Sequence, residues 1–204
     1  MPRRDIPIIE PYNPLDKMNL GENVAERLLQ GEVHPLPPAP FIGAGVYAIY
    51  YHGDFPLYRR LAEQNAEGCV VPIYVGKAVP PGGRRGGNDL SASPGKALHK
   101  RLTDHHDSIC EAENLNIDDF SCRFLVVDDI WIPLAESLLI QRFRPVWNSV
   151  LDGFGNHTQG SGRDNQRKSP WDSIHPGRPW ASHLRPNATD TQQIINQIQQ
   201  FLEG

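Results

Sequence analysis

Two short runs decide the fold: GVYAIYY at residues 45–51 and PIYVGKA at residues 72–78. Both are rich in β-branched and aromatic side chains, the composition of strands. Between them, HGDFPLYRRLAEQNAEGCV is too long for a tight hairpin, and LYRRLAEQ within it is patterned like a helical turn or two, so it reads as an insertion. Downstream, from Lys96 to about Glu113, Leu98, Leu102 and Ile109 mark an amphipathic helix. FSCRFLVVDDI at 120–130 alternates and then runs apolar as a third strand. Pro133 opens a further helix, PLAESLLIQRFR, because proline fits a first helical turn, and that helix should end before Pro145. The expected core is β-β-α-β-α, an α/β (α+β) unit of three strands and flanking helices with extensions at both ends.

The flanks differ in character. In NLGENVAERLLQ, Val24, Leu28 and Leu29 stand at helical spacing, predicting a short helix near residues 20–30, and HPLPPAP after it reads as a stiff, extended connector. VPPGGRRGGNDLSASPG after the second strand has loop composition. From Asp152 to Pro186 the chain is polar and Gly-rich without clear periodicity, and Ile194, Ile195, Ile198, Phe201 and Leu202 define a closing helix. The expected organisation is an N-terminal arm (1–44), a core (45–150) and a C-terminal extension (151–204) in one compact unit.

The chain has 204 residues, 39% hydrophobic and 22% charged, enough to bury a core unaided; its 19 prolines and 18 glycines predict long connections. MPRRDIPIIEPYNP suits neither a signal peptide nor a membrane anchor, which predicts a soluble cytoplasmic protein. Cys69, Cys110 and Cys122 form no C-x-x-C pair, so buried free thiols are expected rather than disulfides or a zinc module. The net charge of -4 conceals a polarity: residues 77–101 carry six basic side chains and one acidic, residues 140–185 carry seven and three, and the remainder sums to -13. Two basic segments on an acidic body suit a polyanion bound on one face.

Two features point to chemistry. Arg101 and His105 are four apart and share a helical face, where a cation and an imidazole can meet one phosphate; taken alone, such pairs are also common surface features. Glu136 lies on the face of Leu139, Ile140 and Phe143. A carboxylate there is costly to bury alone, so it contacts a metal or a basic group or sits at the rim of the core, and a metal ligand is the favoured reading. Tyr47 and Tyr74 lie in strands, and Asn148 would ordinarily be a turn residue.

Taken in order, Gly45-Val46-Tyr47, Tyr74-Val75-Gly76, Arg101 with His105, Glu136 and Asn148 resemble the signature of the GIY-YIG nucleases, with valine replacing isoleucine in both name-giving triplets. GAGVYAIYY, PIYVGKAVP, DFSCRF, DGFGNHT and IHPGR further resemble a subgroup of GIY-YIG type II restriction endonucleases that cut GC-only palindromes, notably CCGCGG. The resemblance implies a three-stranded antiparallel sheet flanked by helices and an active site of Tyr47, Tyr74, Arg101, His105, Glu136 and Asn148. Glu136 would hold Mg²⁺, with Mn²⁺ able to substitute, Arg101 would bind the scissile phosphate, and Tyr47 would contact the attacking water as base or positioner. His105 would relay a proton, with Arg101 and the metal favouring the phenolate of Tyr47. DNA contacts are expected from Lys77, Arg84, Arg85, Lys96, Lys100, Asn156, His157, Arg163, Arg167 and Lys168. Expected partners are palindromic double-stranded DNA, a second copy of the chain and, genetically, a cognate DNA methyltransferase in a bacterial restriction-modification system. A homing or repair nuclease, or a silent DNA-binding regulator, are the competing readings.

Overall fold

A computed structural model of the chain describes residue 13 and residues 15–80, 94–156 and 166–204. Its centre is β2 (Gly45–Tyr51), which pairs antiparallel with β3 (Tyr74–Ala78) on one side and β4 (Phe120–Val126) on the other. All seven β2 residues are buried. Side chains alternate across a strand, so Tyr47, Ile49 and Tyr51 enter one apolar cluster while Val46, Ala48 and Tyr50 enter another on the opposite face.

The sheet has four strands rather than the expected three, in the order β1-β4-β2-β3. The extra strand, β1 (His34–Pro35), comes from the connector read as merely extended, and pairs with Cys122 and Ser121 of β4. Proline lacks the N–H that a central strand needs but is tolerated at an edge, and two residues carry no detectable alternation.

The first face is covered by α3 (Ala97–Cys110), α8 (Thr191–Glu203) and two short segments, α5 (Val146–Ser149) and α6 (Pro170–Ile174), which contribute Leu98, Leu102, Ile198, Trp147 and Trp171. The second face is covered by α1 (Lys17–Leu29) and α4 (Ile132–Phe143), through Ala25, Leu28, Ile132, Ala135 and Leu139. α1 starts earlier than its apolar residues indicate because the Asp16 carboxylate accepts from Met18 N at 2.8 Å, an N-cap. α4 ends at Arg144, whose backbone turns left-handed (φ 45°) as Pro145 bars a further helical residue. The insertion after β2 forms a 3-10 turn (Pro56–Tyr58) and α2 (Arg59–Gln64), and α7 (Pro179–Ser182) lies in the stretch without periodicity. Cys69 and Cys122 are buried free thiols, but Cys110, expected to be buried, is exposed. Among the described residues no helix is long and apolar enough to cross a membrane.

Candidate active site

β2, β3 and α3 bring four of the six predicted residues into contact. Tyr47 projects from the middle of β2 toward α3, opposite Gly76 in the ladder. Its ring lies over that glycine so closely that a Cβ at 76 would overlap the Tyr47 hydroxyl and stand 2.6 Å from its ring carbon. Glycine there is therefore a condition for the tyrosine's position. Tyr74, the first residue of β3, places its ring centroid 6.2 Å from that of Tyr47. His105 and Arg101 sit one turn apart on α3, as the spacing predicts.

The hydroxyl of Tyr47 is 2.6 Å from His105 Nε2, and both side chains are fully buried. The His105 ring stacks on Phe154 (centroids 4.5 Å apart, planes at 18°), while Tyr74 meets Phe154 edge-on at 5.0 Å. Arg101 donates from Nη2 to the carbonyl of Gly155 at 3.0 Å. A Cβ at 155 would come 2.8 Å from the Tyr74 hydroxyl and 3.4 Å from Arg101 Nη2, so the loop passes against the site with backbone only.

Arg101 does lower the pKa of both phenols, but burial is the larger influence: it holds Tyr47 well above 10, with the neighbouring Tyr74 phenol adding to the rise, and raises Tyr74 as well. Before DNA or metal arrives, Tyr47 is therefore a neutral hydroxyl and not the phenolate that Arg101 alone would favour.

Glu136 on α4 is at the rim of the core, partly exposed, and near enough to raise the pKa of both tyrosines. Lys77 of β3, predicted as a DNA contact, places Nζ 2.6 Å from Glu136 Oε2. No group of three or more His, Cys, Asp or Glu side chains suited to a metal occurs among the described residues. A divalent ion here would thus rest on one protein carboxylate. Mg²⁺ suits this, since it retains waters and takes phosphate oxygens, and the Lys77 ammonium already stands where such a cation would neutralise Glu136.

Asn148 sits apart from the reacting groups, behind β3. Its side chain accepts from Val75 N and donates to Val75 O, each at 2.8 Å, fixing the strand that carries Tyr74, Gly76 and Lys77.

Of the other predicted DNA contacts, Lys96 and Lys100 are exposed at the start of α3, near Arg101. Asn156 is exposed, with its carbonyl held by Arg178 at 2.8 Å. Arg167 and Lys168 run beside Arg185 and Pro186, to whose carbonyls Lys168 N and Arg167 Nη1 donate. Arg84, Arg85, His157 and Arg163 lie outside the described residues. Arg178, which contributes to the positive balance of 140–185, is not on the surface: it is 1% exposed and paired with Asp172 at 2.7 Å.

Sequence reasoning did not assign Phe154, Gly155, Asp172 or Arg178, although DGFGNHT and IHPGR contain three of them. The available signal was a lone arginine between Trp171 and Trp180 in a segment without periodicity.

No curated protein matches the chain at a significant level. The model of the Eco29kI GIY-YIG domain does, over residues 39–202, which takes in all six residues and both unassigned motifs. The chain therefore belongs to the Eco29kI GIY-YIG domain family of restriction endonucleases.

Proposed function

We propose that the protein is a type II restriction endonuclease that hydrolyses a phosphodiester bond in each strand of a short GC-rich palindrome, CCGCGG being the target suggested by resemblance. Mg²⁺ is the cofactor, replaceable by Mn²⁺, and the products carry 5′-phosphate and 3′-hydroxyl ends. The observation that carries this reading is the 2.6 Å contact of Tyr47 with His105, set beside Arg101.

Hydrolysis needs an aligned water, an acceptor for its proton, and stabilisation of charge on the phosphoryl oxygens. A phenol held neutral by burial is a poor free base. One that donates to an imidazole can take a proton from water on one side while passing its own to His105 Nε2 on the other, so no free phenolate has to form. Arg101, with one N–H committed to Gly155, uses its planar fork to hold the scissile phosphate. Tyr74 contacts the phosphate or the water. Glu136 would hold Mg²⁺, which when bound supplies positive charge to the phosphoryl oxygens.

A palindrome presents two identical half-sites, so two copies of the chain on one duplex place one site on each strand. Base readout falls to residues 80–96 and to the basic segment from Gly153 to Arg178, less Arg178 itself, which is buried; arginine and lysine there suit guanine edges. A cognate methyltransferase would protect the bacterial host's own sites. The test is plasmid DNA incubated with the protein in Mg²⁺ or in chelator. Discrete Mg²⁺-dependent bands, with identical ends on sequencing, are expected. Random nicking would indicate a non-specific or repair nuclease, and a mobility shift without cutting a silent DNA binder; either outcome overturns the restriction reading.

A further inference from the structure

The loop Gly153–Asn156 turns all four of its successive carbonyl groups toward two arginines. Arg101 takes the carbonyl of Gly155. Arg178 takes the other three, through Nη2 to Gly153 at 3.0 Å and Nη1 to Phe154 at 3.3 Å and Asn156 at 2.8 Å. Its remaining edge, Nε, donates to Asp172 at 2.7 Å, and Trp171 and Trp180 cover its guanidinium at 4.4 and 4.6 Å from their ring centres. Asp172 is itself fixed by the Ser169 hydroxyl at 2.6 Å.

A buried ion pair is an expensive way to fill space, since apolar residues of similar volume serve stability as well or better. What this pair supplies that apolar residues could not is a hydrogen-bonded grip on one short backbone segment. That segment carries Phe154, on which His105 stacks and Tyr74 rests edge-on, and Gly155, which orients Arg101. Three of the six residues in the candidate active site thus take their placement from one loop, and the loop takes its placement from Arg178.

We propose that Arg178, with Asp172, is a positioning residue for phosphodiester cleavage, acting through the Gly153–Asn156 loop on Arg101 and His105 and making no contact with DNA. The proposal rests on the nuclease reading of the Arg101 site, but the grip on the loop is measurable without cleavage. The test is Arg178→Lys, which keeps a charge for Asp172 and loses the fork. At saturating protein, its single-turnover rate should fall about a hundredfold, the scale on which displaced catalytic groups are felt, with affinity for the duplex unchanged. In an Arg101→Ala background the same substitution should cost clearly less than about a hundredfold, because the part of its effect that runs through Arg101 is already lost and only the part through His105 remains. The ring-proton resonances of His105, shifted by the stacked Phe154, should move toward those of an unstacked histidine in the variant.

If Arg178→Lys does not fold, the neutral pair Asp172→Asn with Arg178→Gln leaves no unpaired buried charge and is read in the same three ways. A loss of thermal stability with the cleavage rate intact overturns the proposal, as does a full additive loss in the Arg101→Ala background. Should the wild-type protein cut no DNA, the nuclease reading fails, and the histidine resonances alone decide the grip: unchanged positions in the variant overturn it.

Discussion

Among the described residues, two tyrosine–histidine pairs have identical reach. Tyr47 lies 2.6 Å from His105 Nε2, and Tyr58 lies 2.6 Å from His175 Nε2. The difference is in what surrounds them. Trp147 Nε1 donates to the Tyr58 hydroxyl at 3.0 Å, so that hydroxyl hands its own proton to His175; His175 Nδ1 then donates to Asn114 Oδ1 at 2.9 Å, and the Asn114 amide donates to the carbonyl of Ile174. The Tyr58 hydroxyl and both ring nitrogens of His175 are thus engaged within the protein. Around Tyr47 stand a guanidinium, a second phenol and, at the rim, the Lys77–Glu136 pair. A short hydroxyl–imidazole contact is therefore no signature of catalysis by itself; what the proposed site adds is charged groups that are partly exposed, whereas Arg178, the charge near His175, is buried.

The sharpest way to break the comparison is to remove what the second pair lacks. Glu136→Gln should lower the single-turnover rate by about a thousandfold or more, the several kcal/mol that a catalytic metal supplies, while duplex binding measured by mobility shift persists. Substantial Mg²⁺-dependent cutting by the variant would remove Glu136 from the metal site.

Deleting one oxygen from each pair should then give opposite outcomes. Tyr47→Phe should cost about two to three orders of magnitude in single-turnover rate, as for loss of one preorganised catalytic group. Tyr58→Phe should leave that rate within a few-fold yet destabilise the fold by about 1–3 kcal/mol, because Trp147 and His175 lose their buried partner. Parallel denaturant curves and rate measurements decide it; equal rate losses would mean that both pairs belong to the site.

Acid separates stability from catalysis. Burial, aided by Arg178, lowers the pKa of His175 to about 3. The unfolded chain, with histidine near about 6.5, then binds more protons than the folded one between those values, so folding stability falls as pH drops through this window, by up to about 1.4 kcal/mol per pH unit. Denaturation midpoints from pH 7 to 4 should show this slope in the wild type and a shallower one in His175→Gln. The smallest effect is spectroscopic: since burial holds Tyr47 well above 10, the rise in phenolate absorbance between neutral pH and pH 10 should be the same in Tyr47→Phe as in the wild type.

What the sequence made legible follows from periodicity and ordered spacing. β2 and β3 were evident from their composition, α3 and α4 from apolar residues at helical intervals, and Arg101 with His105 from the four-residue step. The fourth strand was not, because two residues containing a proline have no period. Nor was the Gly153–Asn156 loop, whose contribution lies in its carbonyls and which every sequence possesses alike; only the fold reveals that Arg178 collects three of them. The basic balance of 140–185 did not reveal that Arg178 is internal, because it is buried together with Asp172 of the same segment and the pair leaves the net charge of the rest unchanged.

Asn148 also bears on how copies of the chain can meet. β3 is the outer strand of its sheet, and such an edge invites another strand to add to it. Here the outward carbonyl of Ile73 is taken by Trp147 N, and both backbone groups of Val75 are taken by the Asn148 amide, which mimics a peptide unit of a fifth strand. The opposite edge is the two-residue β1, ending in a proline. With its margins finished in this way, the sheet is a poor template for edge-to-edge growth, which guards against aggregation; if two copies act on a palindrome as proposed, they would join through helices or loops, not through a continuous sheet.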